Sequence, residues 1–309
     1  MNSNADMTNH ASDMADLVAR LASGATVSDA DLVTLAESTD ILSLAMLADE
    51  ARRARHGSVV TFVRVADVAL RAADVVPAIP PAAREVRVAA GTADVDAQSD
   101  ALHAVVQAAG AVPVSAYSLA DLESCARECG RSLADLCASV RATGVLAVAE
   151  APIDRLADAE AACGAARHAG LAIARVTVSR TADPATRIAL LRRVVALQQA
   201  VGGLWSFAPL ARAWNPAAPS TGYEDVRQVA LARLVLTDIP SIQVDWTLYG
   251  PKLAQVALTM GADDLDAVPA VDDMREGRRR APLEEVLRNI RAAALTPVER
   301  DGLYRRVSS

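Results

Sequence analysis

From Val59 onward the chain alternates short β-prone runs with helical runs, and that rhythm constrains its fold more than any other feature. The β-prone runs are Val59–Val65, Glu85–Ala89, Val112–Ala116, Val145–Ala149, Ala172–Ser179, Leu204–Ala208 and Ile242–Thr247. Helical patterns over Ala97–Ala109, Leu119–Cys129, Leu133–Ala142, Arg155–Ala169, Pro184–Ala200 and Tyr223–Leu236 lie between them, several preceded by the cap residues Ser118, Ser132, Asp154 and Asp183. Strands and helices in alternation, joined by short connections, build a mostly parallel sheet with helices outside it. About seven strands in roughly 250 residues predict an α/β fold of the TIM type, a (β/α) barrel, complete or partial. Val68–Ala83 breaks the rhythm, because Pro77, Pro80 and Pro81 exclude an ordinary helix interior.

The first part reads differently. Residues 1–12 are polar and are expected to be disordered. Residues 13–57 form a helical extension with amphipathic runs Asp13–Ser23, Ser28–Glu37 and Asp40–Arg55, the last ending at Gly57. Residues 58–309 are then one unit, the barrel with its C-terminal helices.

Composition narrows the function. Hydrophobic residues make up 52% of the 309, enough for a sizeable core, but aromatics are only 3%, so the core is built from small aliphatic side chains. The formal net charge is −7 and the one basic run, Arg278–Arg280, is short, which argues against a nucleic-acid partner. No apolar run reaches the length of a membrane span; Gly144–Ala149 and Leu171–Val178 are strand-sized. The N-terminus lacks a basic segment followed by an apolar stretch, so a cytoplasmic location is expected. Cys125 and Cys129 stand at i, i+4, but no Cys-x-x-Cys follows and Cys137 and Cys163 lie in other helical segments. Small buried thiols are the expectation, and no metal ligand is singled out.

Several segments resemble one family. WTLYGPKLAQVALTMGADDLD (Trp246–Asp266), PSTGYEDVRQVALARLVL (Pro219–Leu236) and PVERDGLY (Pro297–Tyr304) are similar to the C-terminal part of radical S-adenosylmethionine enzymes, aminofutalosine synthase of menaquinone biosynthesis above all. STDILSLAMLADEARRARHG (Ser38–Gly57) resembles the helical extension of that family, VTFVR (Val60–Arg64) its first strand, and SAYSLADL (Ser115–Leu122) its third strand and following turn. The resemblance implies the radical S-adenosylmethionine kind of barrel. It also implies a Cys-x-x-x-Cys-x-x-Cys loop after the first strand, whose three thiolates leave one cluster iron open for the cofactor. Val59–Arg84 contains no cysteine. The family's Gly-Gly pair reads Ala90–Gly91, and its later glycine run is reduced to AVAEAP with Glu150 kept.

These departures predict a pseudoenzyme. No cofactor is expected: no iron–sulfur cluster, and weak or absent binding of S-adenosylmethionine. No residue is singled out as catalytic. If the barrel mouth still holds a ligand, the strand-end residues Arg64, Tyr117, Glu150, Arg180 and Trp246 are the candidates, because barrels of this type bind at the C-terminal ends of their strands. Asp67, Ser118 and Asp245 stand near them. Each has a plainer reading: Glu150 as a salt bridge to Arg180 or Arg175, Trp246 as core, Lys252 as a surface contact. The leading function is a non-catalytic paralogue of aminofutalosine synthase, a structural or regulatory partner in the futalosine pathway, as a homodimer or as a heterodimer with an active homologue. The alternatives are a binding module for a nucleoside or S-adenosylmethionine and a cluster-free enzyme on the same barrel. The surface near Tyr249–Lys252 and the tail Glu299–Tyr304 are the expected interface.

Overall fold

The computed structural model describes residues 27–70, 78–89, 95–180, 183–213, 221–271 and 283–307, with Asp16, Leu17 and Arg20 ahead of them. Residues 1–12, expected to be disordered, and the basic run Arg278–Arg280 lie outside the described residues. Two helices open the described chain, α1 (Asp29–Glu37) and α2 (Ile41–His56). Ser28 and Asp31 form a reciprocal capping box at the start of α1, and Asp40 caps α2 by accepting from the Ser43 N–H. The remaining elements are β1 (Val59–Ala69), β2 (Glu85–Ala89), α3 (Ser99–Ala109), β3 (Val114–Ser118), α4 (Leu119–Cys129), α5 (Leu133–Ala142), β4 (Ala147–Pro152), α6 (Ala159–His168), β5 (Ala172–Ile173), β6 (Val176–Arg180), α7 (Pro184–Val201), β7 (Ser206–Ala213), α8 (Gly222–Val235), β8 (Ser241–Asp245), α9 (Trp246–Leu258), β9 (Asp264–Pro269), α10 (Leu283–Ala292) and β10 (Thr296–Glu299).

Eight parallel strands close a complete barrel in the order β1-β2-β3-β4-β6-β7-β8-β9, with β9 pairing back onto β1. The short β5 extends β4, and β10 pairs with the first residues of β1. Apolar side chains of the strands and helices form one continuous core around it. The extension docks on α8. Arg55 donates to the Thr237 carbonyl, Arg227 to that of Ala36, and Tyr223 to that of Thr39. Fully buried Arg52 donates to Asp49 and to the Gly57 carbonyl, so no charge is left uncompensated at the joint.

Four expectations are corrected. The expected strand Ala172–Ser179 is interrupted at Ala174–Arg175, where the Arg175 side chain turns inward. The expected strand Ile242–Thr247 stops at Asp245, which accepts from the Leu248 N–H and so starts a helix at Trp246. Two strands, β9 and β10, were not expected. Asp264 and Asp266 of β9 are buried between its partners β1 and β8.

Candidate functional site: an ion ladder across the barrel

Strand residues alternate between faces, so charges at i and i+2 point the same way. Four such pairs converge inside the barrel: Glu85 and Arg87 on β2, Arg175 and Thr177 around the start of β6, Gln243 and Asp245 on β8, Asp264 and Asp266 on β9. Their contacts join strands that are not neighbours, which places them across the lumen. Arg175 reaches both oxygens of Glu85 at 2.9 and 2.8 Å, and its other nitrogen donates to the Ala149 carbonyl. Glu85 also accepts from Ser115 at 2.5 Å and from Arg87 at 3.2 Å. Arg87 continues to Asp266 at 2.7 Å. Higher up, Arg212 of β7 pairs with Asp245 and lies 3.4 Å from Glu150 and 3.6 Å from Asp266; Thr177 donates to Glu150 at 3.2 Å.

The lower end is closed by the tail. Arg300 grips both oxygens of Asp264 at 2.6 Å and lies over the Tyr304 ring, 3.8 Å from its centroid. Gln243 donates to the Tyr304 hydroxyl at 2.8 Å, and Tyr304 meets Trp205 edge-on at 5.8 Å. Gly302 lets the tail pass beneath Glu85. A Cβ there would come within 2.8 Å of the Glu85 side chain.

Three buried carboxylates (Glu85, Asp264, Asp266) and two partly exposed ones (Glu150, Asp245) thus meet four guanidiniums (Arg87, Arg175, Arg212, Arg300). Burial works to raise Glu85, but Arg175 and Arg87 outweigh it and hold that carboxyl at about 2. Asp266 is held well below the ordinary range in the same way, burial being overcome by Arg175, Arg87 and Arg212. Asp245 moves the opposite way: burial raises it, an effect that outweighs the pull of Arg212, and Asp266 adds to it.

Of the five residues expected to line the mouth, only Glu150 joins this ladder. Its partner is Arg212, not Arg180 or Arg175. Arg64 pairs with Glu299 of β10 at 2.5 Å, which also holds Arg84. Tyr117 is buried with a left-handed backbone (φ 59°) and donates to Gln98. Arg180 is exposed, with its backbone N–H held by Asp154. Trp246 is core at the first position of α9. Sequence reading missed Glu85, Arg87, Arg212, Asp266 and Arg300; a signal existed only for Glu85 and Arg87, opposite charges at i, i+2 inside the β-prone run Glu85–Ala89.

Residues 209–307 match the family described as the CofH/MqnC C-terminal region. Over 136 residues, 39% of this chain and 36% of the relative, the chain is 35% identical to aminodeoxyfutalosine synthase of Thermus thermophilus, the enzyme called aminofutalosine synthase above. It is 39% identical over 97 residues, 29% of its length and 25% of the relative's, to 5-amino-6-(D-ribitylamino)uracil–L-tyrosine 4-hydroxyphenyl transferase 2 of Methanosarcina mazei. The matches span about a quarter to a third of these curated relatives. Among solved structures, methylornithine synthase shares the fold with a TM-score of 0.66 at 14% identity, over 91% of this chain and 97% of the other. HydG, the [FeFe]-hydrogenase maturase, does so with 0.67 at 13%, over 93% and 75%. The C-terminal third of the chain is thus similar in sequence to the CofH/MqnC C-terminal region and to aminodeoxyfutalosine synthase, and the whole described chain shares the barrel fold of these solved structures.

These similarities overturn the expectation of a chain without cofactor. Its homologues and structural neighbours are radical S-adenosylmethionine enzymes that use an iron–sulfur cluster and S-adenosylmethionine. One cysteine-free loop speaks to one ligand arrangement, whereas the barrel is shared with the solved structures and the C-terminal sequence with the curated relatives. The described residues do not supply the usual thiolate set. Cys125, Cys129, Cys137 and Cys163 sit on α4, α5 and α6, and burial pushes the Cys137 and Cys163 thiols up to about 12. Among the described residues no group of three His, Cys, Asp or Glu side chains is placed to hold a metal ion.

Proposed function

We propose that this chain is a non-catalytic paralogue of aminofutalosine synthase that serves, in the cytoplasm, as a structural or regulatory partner in menaquinone biosynthesis by the futalosine route. The observation that supports this reading is the ladder. The charged side chains that face the lumen neutralise one another across it instead of standing free for a substrate. Arg64, Tyr117 and Arg180, which a ligand at the mouth would need together, are each engaged elsewhere or exposed to solvent. Among the described residues no helix is long and apolar enough to cross a membrane.

The reading concerns turnover, not cofactor loading. The protein, reconstituted anaerobically with iron and sulfide and supplied with S-adenosylmethionine and a reductant, is assayed for the product of aminodeoxyfutalosine synthase, alone and mixed with an active homologue. The expected result is no product from this chain alone and a changed rate or lifetime of the homologue in the mixture. Product from the chain alone overturns the proposal.

A further inference from the structure

β6 and β7 lose register at one point. Thr177 pairs with Ala208 but Val178 pairs with Ala211, so Pro209 and Leu210 are two extra residues in β7. A bulge of that kind bends its strand away from regular pairing. Proline suits the place, because it has no N–H to give to a ladder. On the outer side of the barrel wall this bend adjoins a recess between the strands and helices α7 and α8, walled by Val178, Leu190, Pro209 and Leu210. Its interior measures about 20 Å³, room for one small group, and it opens to solvent.

Two polar side chains reach this recess without a partner. Gln228 of α8 is only 6% exposed, yet among the described residues its carboxamide makes no hydrogen bond. Buried polar groups are nearly always satisfied, so this one calls for a partner from outside the chain. Arg180 stands at the rim. It lies three residues from lumen-facing Thr177, hence on the outer face of β6, and among the described residues its exposed guanidinium holds no ion pair. Arg187 of α7 adds a positive charge to the lining and buried Asp225 of α8 a negative one, which leaves one net positive charge.

We infer that this recess binds a short 2-hydroxy or 2-oxo carboxylic acid. One net positive charge suits a monoanion better than a phosphate dianion. The planar guanidinium of Arg180 matches a carboxylate with two parallel N–H donors. The interior takes only a small group, and Gln228 offers it both a donor and an acceptor, so the oxygen on the second carbon enters while the carboxylate stays at the rim. Val178, Leu190 and Leu210, all buried, give the hydrocarbon end an apolar wall. The site lies outside the lumen and does not rest on the reading of the ion ladder.

Saturation-transfer NMR on the full chain tests this with pyruvate as the probe. Pyruvate is expected to bind saturably, with a dissociation constant on the order of millimolar for so small a ligand. Arg180→Ala is expected to weaken binding about tenfold or more and Gln228→Met about threefold or more, since a hydrogen bond to a charged group outweighs one to a neutral group. Both variants are expected to fold. Arg180 is exposed, and methionine at 228 keeps the shape while removing an unanswered amide, so the melting temperature is expected to hold or rise. Propionate, which lacks the second oxygen, is expected to bind as weakly as pyruvate binds Gln228→Met. Inorganic phosphate is expected not to displace pyruvate. No saturable binding of pyruvate, an unchanged affinity in either folded variant, propionate binding as tightly as pyruvate, or displacement by an equal concentration of phosphate each overturns the inference. Turnover by this chain would overturn the non-catalytic reading and leave the recess standing, so the two fail separately.

Discussion

Glu85 shows how a single buried charge organises its surroundings. It has no access to solvent, and Ser115, Arg87 and Arg175 together satisfy its oxygens. Truncation to Ala leaves Arg175 buried without its main counter-ion, and a change of that kind costs about 3–5 kcal/mol. Chemical denaturation of Glu85→Ala is expected to show a loss of that size, whereas Arg180→Ala is expected to be neutral within about 0.5 kcal/mol because Arg180 is exposed. The pH dependence follows from the direction in which Glu85 is displaced. Glu85 titrates lower in the folded chain than in the unfolded one, so its contribution is complete above the ordinary carboxylate range and is lost as pH falls toward about 2.

At the scale of elements, the tail is a structural part of the barrel. Arg300 supplies the counter-ion for fully buried Asp264, and β10 pairs with β1. Truncation after Glu299 removes Arg300 and strands Asp264, so the shortened chain is expected to lose its near-ultraviolet dichroism and cooperative melting. Tyr304→Phe removes only the hydroxyl that accepts from Gln243 and is expected to cost about 1 kcal/mol. The expectation that Glu299–Tyr304 meets another chain gives way at these side chains, because Glu299 holds Arg64 and Arg84 while Tyr304 packs on Arg300 and Trp205. At α9 the left-handed Gly250 (φ 74°) and Pro251 divide the helix, which keeps Tyr249 turned to the Ala211 carbonyl while Lys252 faces solvent.

At the scale of the whole molecule, the helical extension is fastened to the barrel by buried polar contacts as well as by apolar packing. Arg233 pairs with Asp263, and Asp263 lies 3.5 Å from His56 at the end of α2. Burial lowers the His56 pKa, an effect that exceeds the opposing pull of Asp263, so His56 is neutral at pH 7. Calorimetry is expected to show one transition for extension and barrel together. A separate low-temperature transition that disappears on removing residues 1–57 would show the extension to be an independent unit.

The sequence by itself determined the barrel. Alternating periodicities, cap residues and short connections specify parallel strands with helices outside, and these are local signals that each segment carries alone. It offered the core for Trp246 and a salt bridge for Glu150 only as the plainer readings of two ligand candidates, and the salt bridge with partners other than Arg212. The partners were decided only by the tertiary structure. Glu85 meets Arg175 across 90 residues and Arg87 meets Asp266 across 179. No spacing rule links such pairs, because closure of the barrel sets their separation. The same closure lets the acidic segment of β9 run as a buried strand, since Arg87, Arg212 and Arg300 arrive there from distant parts of the chain. Charge is legible in a sequence, but its compensation is a property of the fold.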